Sequence, residues 1–367
     1  MNLLIAGDAA FLPGIELTLA SLACCNPQAD RLDVALVNLG FDPALGDQLA
    51  KRLQRKDDRY KITILNSGRT VWQGFKPPRP PGFPHSEDRL LKPYQWLAAL
   101  EQLVSWSEVL VLDGDLLVTT CLQPVLDAAR NGLPAAACQD AGHRLSHDCP
   151  DPDVVRLHGT DPYFNSGLVW IDLDRWRSLG RFQSVLTFIQ KFAGKIRQED
   201  QTVFNGVFAG EVTALSRQFN LSHEALGHLE TPANQRLPWQ GYIWHLWRQY
   251  KPWLGFNYME SGALWYGLHE AWHGRQSPRY HTTRPGYGRT VMRMRHPRLA
   301  ALYHRLRGHS EMAGFWTQRT REGSGRGNWA ARFDDRVDQA ADWWGARLRD
   351  LRGKLPKGTE RGASGHR

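Results

Sequence analysis

Two carboxylates stand directly after an apolar run near the middle of the first half of the chain. Residues 109–112 read Val-Leu-Val-Leu, which is typical of a buried strand, and Asp113-Gly114-Asp115 follow at once. Gly114 allows the backbone to turn, so that both carboxylates can face one hard cation. A divalent metal held there could carry a diphosphate leaving group. Taken alone, the motif has an alternative interpretation as a solvated Asp-Gly turn.

Three further groups of polar residues follow, and each also has an ordinary structural interpretation. They are Asn165-Ser166-Gly167 in a strand-like run, Asp200-Gln201 at the start of a helix-like run, and His245 with Lys251-Pro252-Trp253. Taken singly, they could be a turn, the first turn of a helix and an exposed loop. The choice between a functional site and three unrelated structural features therefore depends on whether the order of these groups matches a known family.

A different kind of site is suggested by the literal HExxH sequence at residues 269–273. On a helix, this spacing puts His269 and His273 on one face with Glu270 as a general base, the arrangement of zinc metalloproteases. Gln276 stands where the extended motif needs Gly, and no glutamate follows before Glu311. Because the surroundings are aromatic, we expect a packing or acceptor-side region here rather than a zinc site.

The elements that must position these residues alternate between strand and helix. This alternation predicts an α/β fold with a mostly parallel sheet. Strands are expected at 3–6, 34–37, 62–65, 109–112 and 164–173, and helices near 15–22, 43–56, 90–104, 182–192 and 201–208. Long loops are expected at 76–84 and 140–162. The carboxyl ends of such strands are where ligands bind in open α/β sheets.

Beyond residue 284 the sequence changes character. We expect a body at 1–283 and a basic, helical C-terminal extension at 284–367, with helices near 299–306 and 329–355. The extension holds 19 Lys and Arg against 8 Asp and Glu. The second helix combines an apolar stripe with flanking arginines, which is the composition of an interfacial membrane helix. A helix packed on the body or on a second subunit is the open alternative.

Overall composition excludes several classes of protein. The 367 residues are 42% hydrophobic and 23% charged, which excludes a disordered or collagenous chain. We expect no membrane span and no secretory signal, and the five cysteines, without a CxxC pair, favour a reduced cytosol and no structural zinc. A nearly neutral body is unusual for an enzyme of nucleic acids, so the cationic extension is expected to dock on something anionic, for which membrane lipid headgroups and nucleic acid are the two candidates. Of these we expect an anionic membrane surface and no nucleic-acid partner.

The motifs around Asp113, Asn165, Asp200 and His245 occur in the order found in glycosyltransferase family 8, and the chain resembles that family over most of residues 1 to 255. The resemblance implies a GT-A-type nucleotide-sugar transferase fold, with a Rossmann-like, mostly parallel sheet flanked by helices. It also implies a retaining, metal-dependent reaction with a UDP-sugar donor.

The resemblance implies roles for individual residues. Asp113 and Asp115 match the DxD motif, and His245 matches the histidine that completes the protein ligands of Mn²⁺ (or Mg²⁺). Lys251 matches a lysine that contacts the diphosphate. The remaining matches belong to the donor site: Ala6 and Asp8 for the uridine, Gly114 within the DxD motif, Arg89, Asp140, Asn165 and Asp200 for the sugar hydroxyls, and Gln201 beneath the anomeric carbon.

Two residues depart from the family pattern. Phe11 stands where the family often has a tyrosine near the uracil, which keeps the ring and loses a hydroxyl. Arg248 replaces a glycine that lets the backbone approach phosphate, so it either shifts this loop or binds phosphate itself. A neutral amide such as Gln201 is a poor nucleophile, which favours same-face transfer, with the leaving phosphate deprotonating the acceptor, over a covalent intermediate.

The sequence therefore predicts a cytoplasmic enzyme, peripheral on the inner face of the membrane. It is expected to move glucose or galactose from UDP-glucose or UDP-galactose to a glycan or glycolipid acceptor, such as lipopolysaccharide or another cell-envelope glycan. The alternative is a non-catalytic sugar-nucleotide or membrane-binding protein on the same fold, which Arg248 favours. A zinc protease, from the HExxH sequence, is the third interpretation.

Overall fold

A computed structural model describes residues 1–66, 72, 91–130, 132–140, 161–192, 195–222, 239–246, 251–253, 260–274, 302, 305–306 and 329–354. Two of the expected site residues, Arg89 and Arg248, lie outside these ranges. So do the expected loop at 76–84, most of that at 140–162 and most of the expected helix at 299–306.

The described strands form two sheets. They are β1 (Asn2–Gly7), β2 (Leu32–Asn38), β3 (Tyr60–Asn66), β4 (Glu108–Leu112), β5 (Leu116–Val118), β6 (Ala135–Gln139), β7 (Phe164–Asp172), β8 (Val212–Leu215), β9 (Leu221–Ser222) and β10 (Ile243–His245). The larger sheet has the order β3-β2-β1-β4-β7-β6-β8, and only β7 runs antiparallel to its neighbours there. This confirms the predicted, mostly parallel sheet.

The smaller sheet, with the order β5-β10-β9, positions the end of β10 beside the end of β4. β10 pairs antiparallel with β5, so that His245 lies opposite Leu116. Leu116 directly follows Asp115, and the Leu246 amide donates to the Asp115 carbonyl oxygen at 2.8 Å. The register of this short pairing therefore brings a distant histidine next to the carboxylates that follow β4.

Helices cover both faces of the larger sheet. The described helices are α1 (Leu12–Cys25), α2 (Pro43–Lys56), α3 (Gln95–Ala99), α4 (Gln123–Ala129), α5 (Leu173–Ser178), α6 (Arg181–Lys191), α7 (Glu199–Val207), α8 (Glu260–His273) and α9 (Trp329–Lys354). Helices α1, α2, α4, α8 and α9 share one apolar core, and α3, α5, α6 and α7 share the core on the opposite face. The helices expected near 15–22, 43–56, 182–192 and 201–208 are confirmed.

The helix expected at 90–104 is present as a helical segment over 91–102, but it is not one regular α-helix. The segment consists of two 3-10 turns, Lys92–Tyr94 and Leu100–Gln102, on either side of the short α3. All residues from Tyr94 to Leu100 are buried, so this central part of the segment has no solvent-exposed face. Its apolar spacing reflects burial on all sides, and Pro93 lacks the amide hydrogen that a continuous helix would use.

Helix α9 packs on the body of the protein. Its apolar stripe, Val337, Ala340, Trp344, Leu348 and Leu351, is buried. A Cβ at Gly267 of α8 would lie 2.5 Å from the Cβ of Ala340, so this glycine is what allows the two helices to touch. The expectation that the stripe meets a membrane is therefore wrong, because it is covered by α8 and α1. Within the described ranges, none of the helices is long and apolar enough to cross a bilayer.

Candidate functional site

The two carboxylates after β4 and the histidine of β10 converge as potential metal ligands. His245 Nε2 lies 3.5 Å from Asp113 Oδ2 and 3.3 Å from Asp115 Oδ1. One ligand atom from each residue lies within 4.8 Å of the other two. Asp115 and His245 are buried, whereas half of the Asp113 side chain is exposed. The cluster is therefore open to a ligand on the Asp113 side.

Glycines allow this close approach. A Cβ at Gly167 of β7 would lie 2.4 Å from Cε1 of His245, so only glycine leaves room for the imidazole. A Cβ at Gly114 would lie 2.7 Å from Cγ1 of Ile15, and Gly114 has no positive φ. The expected reason for Gly114 therefore needs correction: it is needed to make room for α1, not to permit an unusual backbone turn.

The charges in the cluster support one another. Asp115 Oδ2 accepts from Lys251 Nζ at 2.5 Å. Burial opposes ionisation of Asp115, but the positive charges of His245 and Lys251 outweigh it and lower its pKa. Burial likewise opposes the charged form of His245, yet the charges of Asp115 and Asp113 raise its pKa to about 9. Asp115 is thus held ionised. Asp113 and Asp115 together favour a positive charge next to them, whether on His245 or on a bound cation.

This donor set fits a divalent cation. Asp115 Oδ1 is buried and, within the described residues, makes no hydrogen bond, although it faces His245 Nε2 at 3.3 Å. Two carboxylates and an imidazole are ligands of the type that Mn²⁺ accepts, and three protein ligands leave positions for the oxygens of a substrate. An orphaned buried oxygen beside an imidazole nitrogen is satisfied by a cation placed between them.

A second cluster consists of Asp140, Asn165 and Gln201. Gln201 Nε2 donates to Asp140 Oδ2 at 2.9 Å, and Asn165 Nδ2 donates to Gln201 Oε1 at 3.0 Å and to Asp140 Oδ2 at 3.3 Å. The Ser166 amide also donates to Gln201 Oε1, at 3.3 Å. The structure therefore brings three of the expected sugar-site residues together: Asp140 directly after β6, Asn165 in β7 and Gln201 in α7.

Asp200 lies beside this cluster but has a different partner. Its Oδ2 accepts from the indole Nε1 of Trp96 at 2.8 Å. Burial raises the pKa of Asp200 to about 7, and repulsion from Asp113 adds to the shift, whereas the Trp96 hydrogen bond opposes it. The preceding residue, Glu199, has a positive φ of 44°, a rare conformation for a non-glycine residue at the start of α7.

The residues expected near the uridine lie at the end of β1 and the start of α1. Asp8 Oδ2 accepts from Lys92 Nζ at 3.1 Å, a contact that no sequence motif indicates. Phe11 makes an edge contact with Trp253, with ring centroids 6.0 Å apart, and Lys251 Nζ lies 5.3 Å from the Phe11 ring. Ala6 lies one residue before Gly7 at the carboxyl end of β1. Of these residues, Phe11 lies beside both Lys251 and Gly114 of the DxD segment.

Sequence reasoning missed Asn220, which connects the two clusters. His245 Nδ1 lies 2.8 Å from Asn220 Oδ1, and Asn220 Nδ2 donates to Asn165 Oδ1 at 2.7 Å. Asn220 ends a 3-10 turn, Arg217–Asn220, just before β9. No motif marks it, and the only signal that could have revealed it is the pairing of β9 with β10.

The HExxH sequence lies on α8, as expected, but its residues pack against α1. His269 stacks on Trp265 at 5.3 Å, and Trp272 Nε1 donates to Glu16 Oε1 at 3.2 Å. His273 Nε2 lies 4.0 Å from the same oxygen. Among residues that the structure describes, neither histidine belongs to a group of three potential metal ligands. The geometry supports the packing interpretation of this segment.

Known glycosyltransferases are among the proteins that this sequence resembles. A putative glycosyltransferase of Haemophilus influenzae is 25% identical over 141 residues, which are 38% of this chain and 42% of that protein. A lipopolysaccharide 1,2-glucosyltransferase of Escherichia coli is 22% identical over 243 residues, which are 64% of this chain and 66% of that protein. The chain thus spans less than two thirds of the length of each of these relatives.

Solved structures share the fold. The galactosyltransferase LgtC, crystallised with donor and acceptor sugar analogs, superposes with a TM-score of 0.56 at 20% identity, covering 69% of this chain and 89% of that one. Mouse xyloside xylosyltransferase 1 gives 0.51 at 16% identity, covering 68% and 98%. The fold is therefore GT-A. The sequence also matches the model for Glycosyl transferase family 8 over residues 2–256. The chain belongs to glycosyltransferase family 8.

Proposed function

We propose that this protein is a retaining, Mn²⁺-dependent hexosyltransferase that uses UDP-glucose or UDP-galactose. The observation that carries the proposal is the junction of two clusters: Asp113, Asp115 and His245 can hold the cation, and a hydrogen-bonded group beside them offers amide and carboxylate atoms to a sugar. A nucleotide-sugar needs both at once, because its diphosphate and its hexose are directly bonded.

The metal cluster serves the leaving group. The cation, when bound, neutralises the charge that develops on the departing UDP. Lys251 Nζ pairs with Asp115 and lies above the Phe11 ring, so its ammonium group is held at the rim of the metal cluster. From there it adds a positive charge for the diphosphate, in keeping with its match to the family motif.

Gln201 serves the sugar. Its Oε1 accepts from Asn165 Nδ2 and from the Ser166 amide, and its Nε2 donates to Asp140, so the amide plane is fixed from both ends. A neutral amide oxygen that already accepts two hydrogen bonds is a weak nucleophile. We therefore favour same-face transfer, in which the leaving phosphate takes the proton of the acceptor hydroxyl, over a covalent glycosyl-enzyme intermediate.

The acceptor is proposed to be a glycan or glycolipid of the cell envelope, with lipopolysaccharide as the leading candidate. Support comes from the name of the Escherichia coli relative, a lipopolysaccharide glucosyltransferase. We further propose that the protein works at the cytoplasmic face of the membrane, held by charge. Residues 284–328 contain 10 Lys and Arg against 2 Asp and Glu, whereas the apolar stripe of α9 is already covered. Sedimentation with anionic vesicles should then weaken as salt is raised.

Release of UDP from UDP-glucose and UDP-galactose, with Mn²⁺ and with chelator, tests the proposed reaction. We expect slow hydrolysis of one donor that requires Mn²⁺ and is lost in Asp113→Asn, because this change removes a charged ligand. Asp127→Asn, at an exposed carboxylate of α4, is the matched control and should retain full activity. Binding of donor and Mn²⁺ without turnover on any acceptor would instead support the non-catalytic alternative.

A further inference from the structure

Asn220 stands between the candidate metal ligand His245 and the residues beneath the sugar. Resting on the proposed function, we propose that Asn220 is a positioning residue: it fixes which nitrogen of His245 faces the metal, and it ties that ligand to Asn165 and, through it, to Gln201. The role of Asn220 follows from the direction of each hydrogen bond in the series that links Asn165 of β7 to His245 of β10.

Backbone amides determine these directions. The Gly167 amide, which can only donate, lies 2.8 Å from Asn165 Oδ1, so this atom of Asn165 is the acceptor. The atom of Asn220 that lies 2.7 Å from the same oxygen must then be its Nδ2 donor. The other end of the Asn220 amide is therefore the acceptor Oδ1, and it lies 2.8 Å from His245 Nδ1. His245 Nδ1 must carry a hydrogen.

A second backbone amide gives the same result for Asn165. The Ser166 amide donates to Gln201 Oε1, so the Asn165 atom that contacts this oxygen at 3.0 Å is its Nδ2. Both backbone constraints give Asn165 the same orientation. The assignment of each amide therefore follows from hydrogen-bond chemistry and does not depend on which atom is drawn as nitrogen.

In the neutral ring that binds a metal, the one remaining hydrogen is then on Nδ1, and the Nε2 lone pair lies on the side of Asp113 and Asp115, whose oxygens are 3.5 and 3.3 Å away. This is the tautomer that a metal ligand needs, and an acceptor on the far side of the ring is the usual way to select it. Without Asn220, the neutral ring can place its hydrogen on Nε2, where Asp115 would accept it in competition with the metal. The loss of Asn220 should therefore weaken metal binding.

The backbone holds Asn220 in place. It directly precedes β9, and β9 pairs in parallel with β10, with Leu221 opposite Trp244 and Ser222 opposite His245. Because Asn220 is joined directly to β9, and β9 pairs with the strand that carries His245, the register of the sheet fixes the backbone on both sides of their contact. The half-buried amide is thus built into the same small sheet that brings His245 to Asp115.

Two substitutions at this position separate the two roles. Asn220→Ala removes both contacts, and we expect the dissociation constant for Mn²⁺ in the absence of donor to rise roughly 10 to 100-fold. Asn220→Asp keeps an acceptor for His245 Nδ1 but places a second acceptor against Asn165 Oδ1. It should bind Mn²⁺ within about threefold of wild type, while kcat with the donor falls because repulsion at Asn165 Oδ1 displaces Asn165 and, through it, Gln201.

Mn²⁺ affinity is measured by calorimetry or by electron paramagnetic resonance of the free ion, with melting temperatures as a check of folding. Asn26→Ala is the control: Asn26 is a buried amide that links Leu22 and Leu122 at the far end of α1, so its loss should lower Tm without changing Mn²⁺ affinity. If Asn220→Ala folds and binds Mn²⁺ with wild-type affinity, the role of Asn220 is overturned and the proposed function is not. Equal loss of Mn²⁺ affinity in Asn220→Asp would also overturn this role. Wild-type protein that does not bind Mn²⁺ would overturn the proposed function as well.

Discussion

The substitution Gly167→Ala probes the close contact on which the proposed metal site depends. The new Cβ would lie 2.4 Å from Cε1 of His245 and 2.9 Å from its Nδ1. Carbon atoms pack at about 3.5 Å, so the ring must move by about 1 Å. Gly167 has no positive φ, and alanine therefore fits the strand backbone itself. The largest clash is therefore with the imidazole, and a smaller one is with Asn165 Oδ1, at 2.9 Å.

A shift of this size is decisive for a metal ligand. Metal–nitrogen distances in a working site vary by only about 0.2 Å. A displacement of about 1 Å should therefore remove His245 from the coordination sphere, and we expect the dissociation constant for Mn²⁺ to rise at least about 10 to 100-fold. Calorimetric titration of the donor-free protein with Mn²⁺ measures this change directly.

Gly46→Ala provides the control for a steric clash elsewhere. Its Cβ would lie 2.7 Å from Cε2 of Phe41 and 2.8 Å from Cδ1 of Ile64, a clash similar in size but made in α2. We expect this variant to melt at a lower temperature and to bind Mn²⁺ like wild type. If folded Gly167→Ala also bound Mn²⁺ like wild type, the assignment of His245 as a ligand would be refuted.

Three further outcomes follow from charge and packing. Without metal the pKa of His245 is raised to about 9, so Mn²⁺ must displace a proton from this ring. The dissociation constant for Mn²⁺ should therefore fall about tenfold for each unit by which the pH rises between about pH 6.5 and 8.5. A dissociation constant that does not change with pH would contradict this. Trp344→Ala should lower the free energy of unfolding, measured in urea, by about 3–5 kcal/mol, because Trp344 is fully buried and its indole donates to the Leu264 carbonyl of α8. A decrease below about 1 kcal/mol would contradict the packing of α9 on α8. Trp96→Phe removes a hydrogen bond that stabilises charged Asp200, so the pKa of Asp200 should rise above about 7; the acidic limb of kcat/KM for the donor should move to higher pH, and an unmoved limb would argue against Asp200 in donor binding.

The sequence predicted the local elements well where the signal was local. Short apolar runs bounded by polar residues marked β1 to β4 and β7, because a strand buried on both faces needs such a run. It predicted 90–104 as one long helix because apolar spacing was taken as a sign of one buried face. The surface on which α9 packs could not be predicted, since an apolar stripe flanked by arginines suits either lipid or a protein core. The contact that distinguishes the two is three-dimensional: Gly267 of α8 has no side chain, which lets Ala340 of α9 pack against it.

The candidate site was predictable as a set of residues, but not as an arrangement. Asp113, Asp115 and His245 could be chosen by type and by resemblance, yet their convergence depends on the pairing of β10 with β5. Asn220 and Lys92 carry no motif, and their contacts join residues that are 25 and 84 positions apart. Such contacts depend on register between distant segments, which local sequence patterns do not encode.

Binding of UDP to the wild-type protein, measured by calorimetry with Mn²⁺ and then with chelator, tests the central claim most directly. The claim is that a cation held by Asp113, Asp115 and His245 carries the diphosphate. We predict that UDP binds with Mn²⁺, that chelator weakens binding at least about tenfold, and that Asp115→Asn reproduces this loss when Mn²⁺ is present. Equal UDP affinity with Mn²⁺, with chelator and in the variant would contradict the claim.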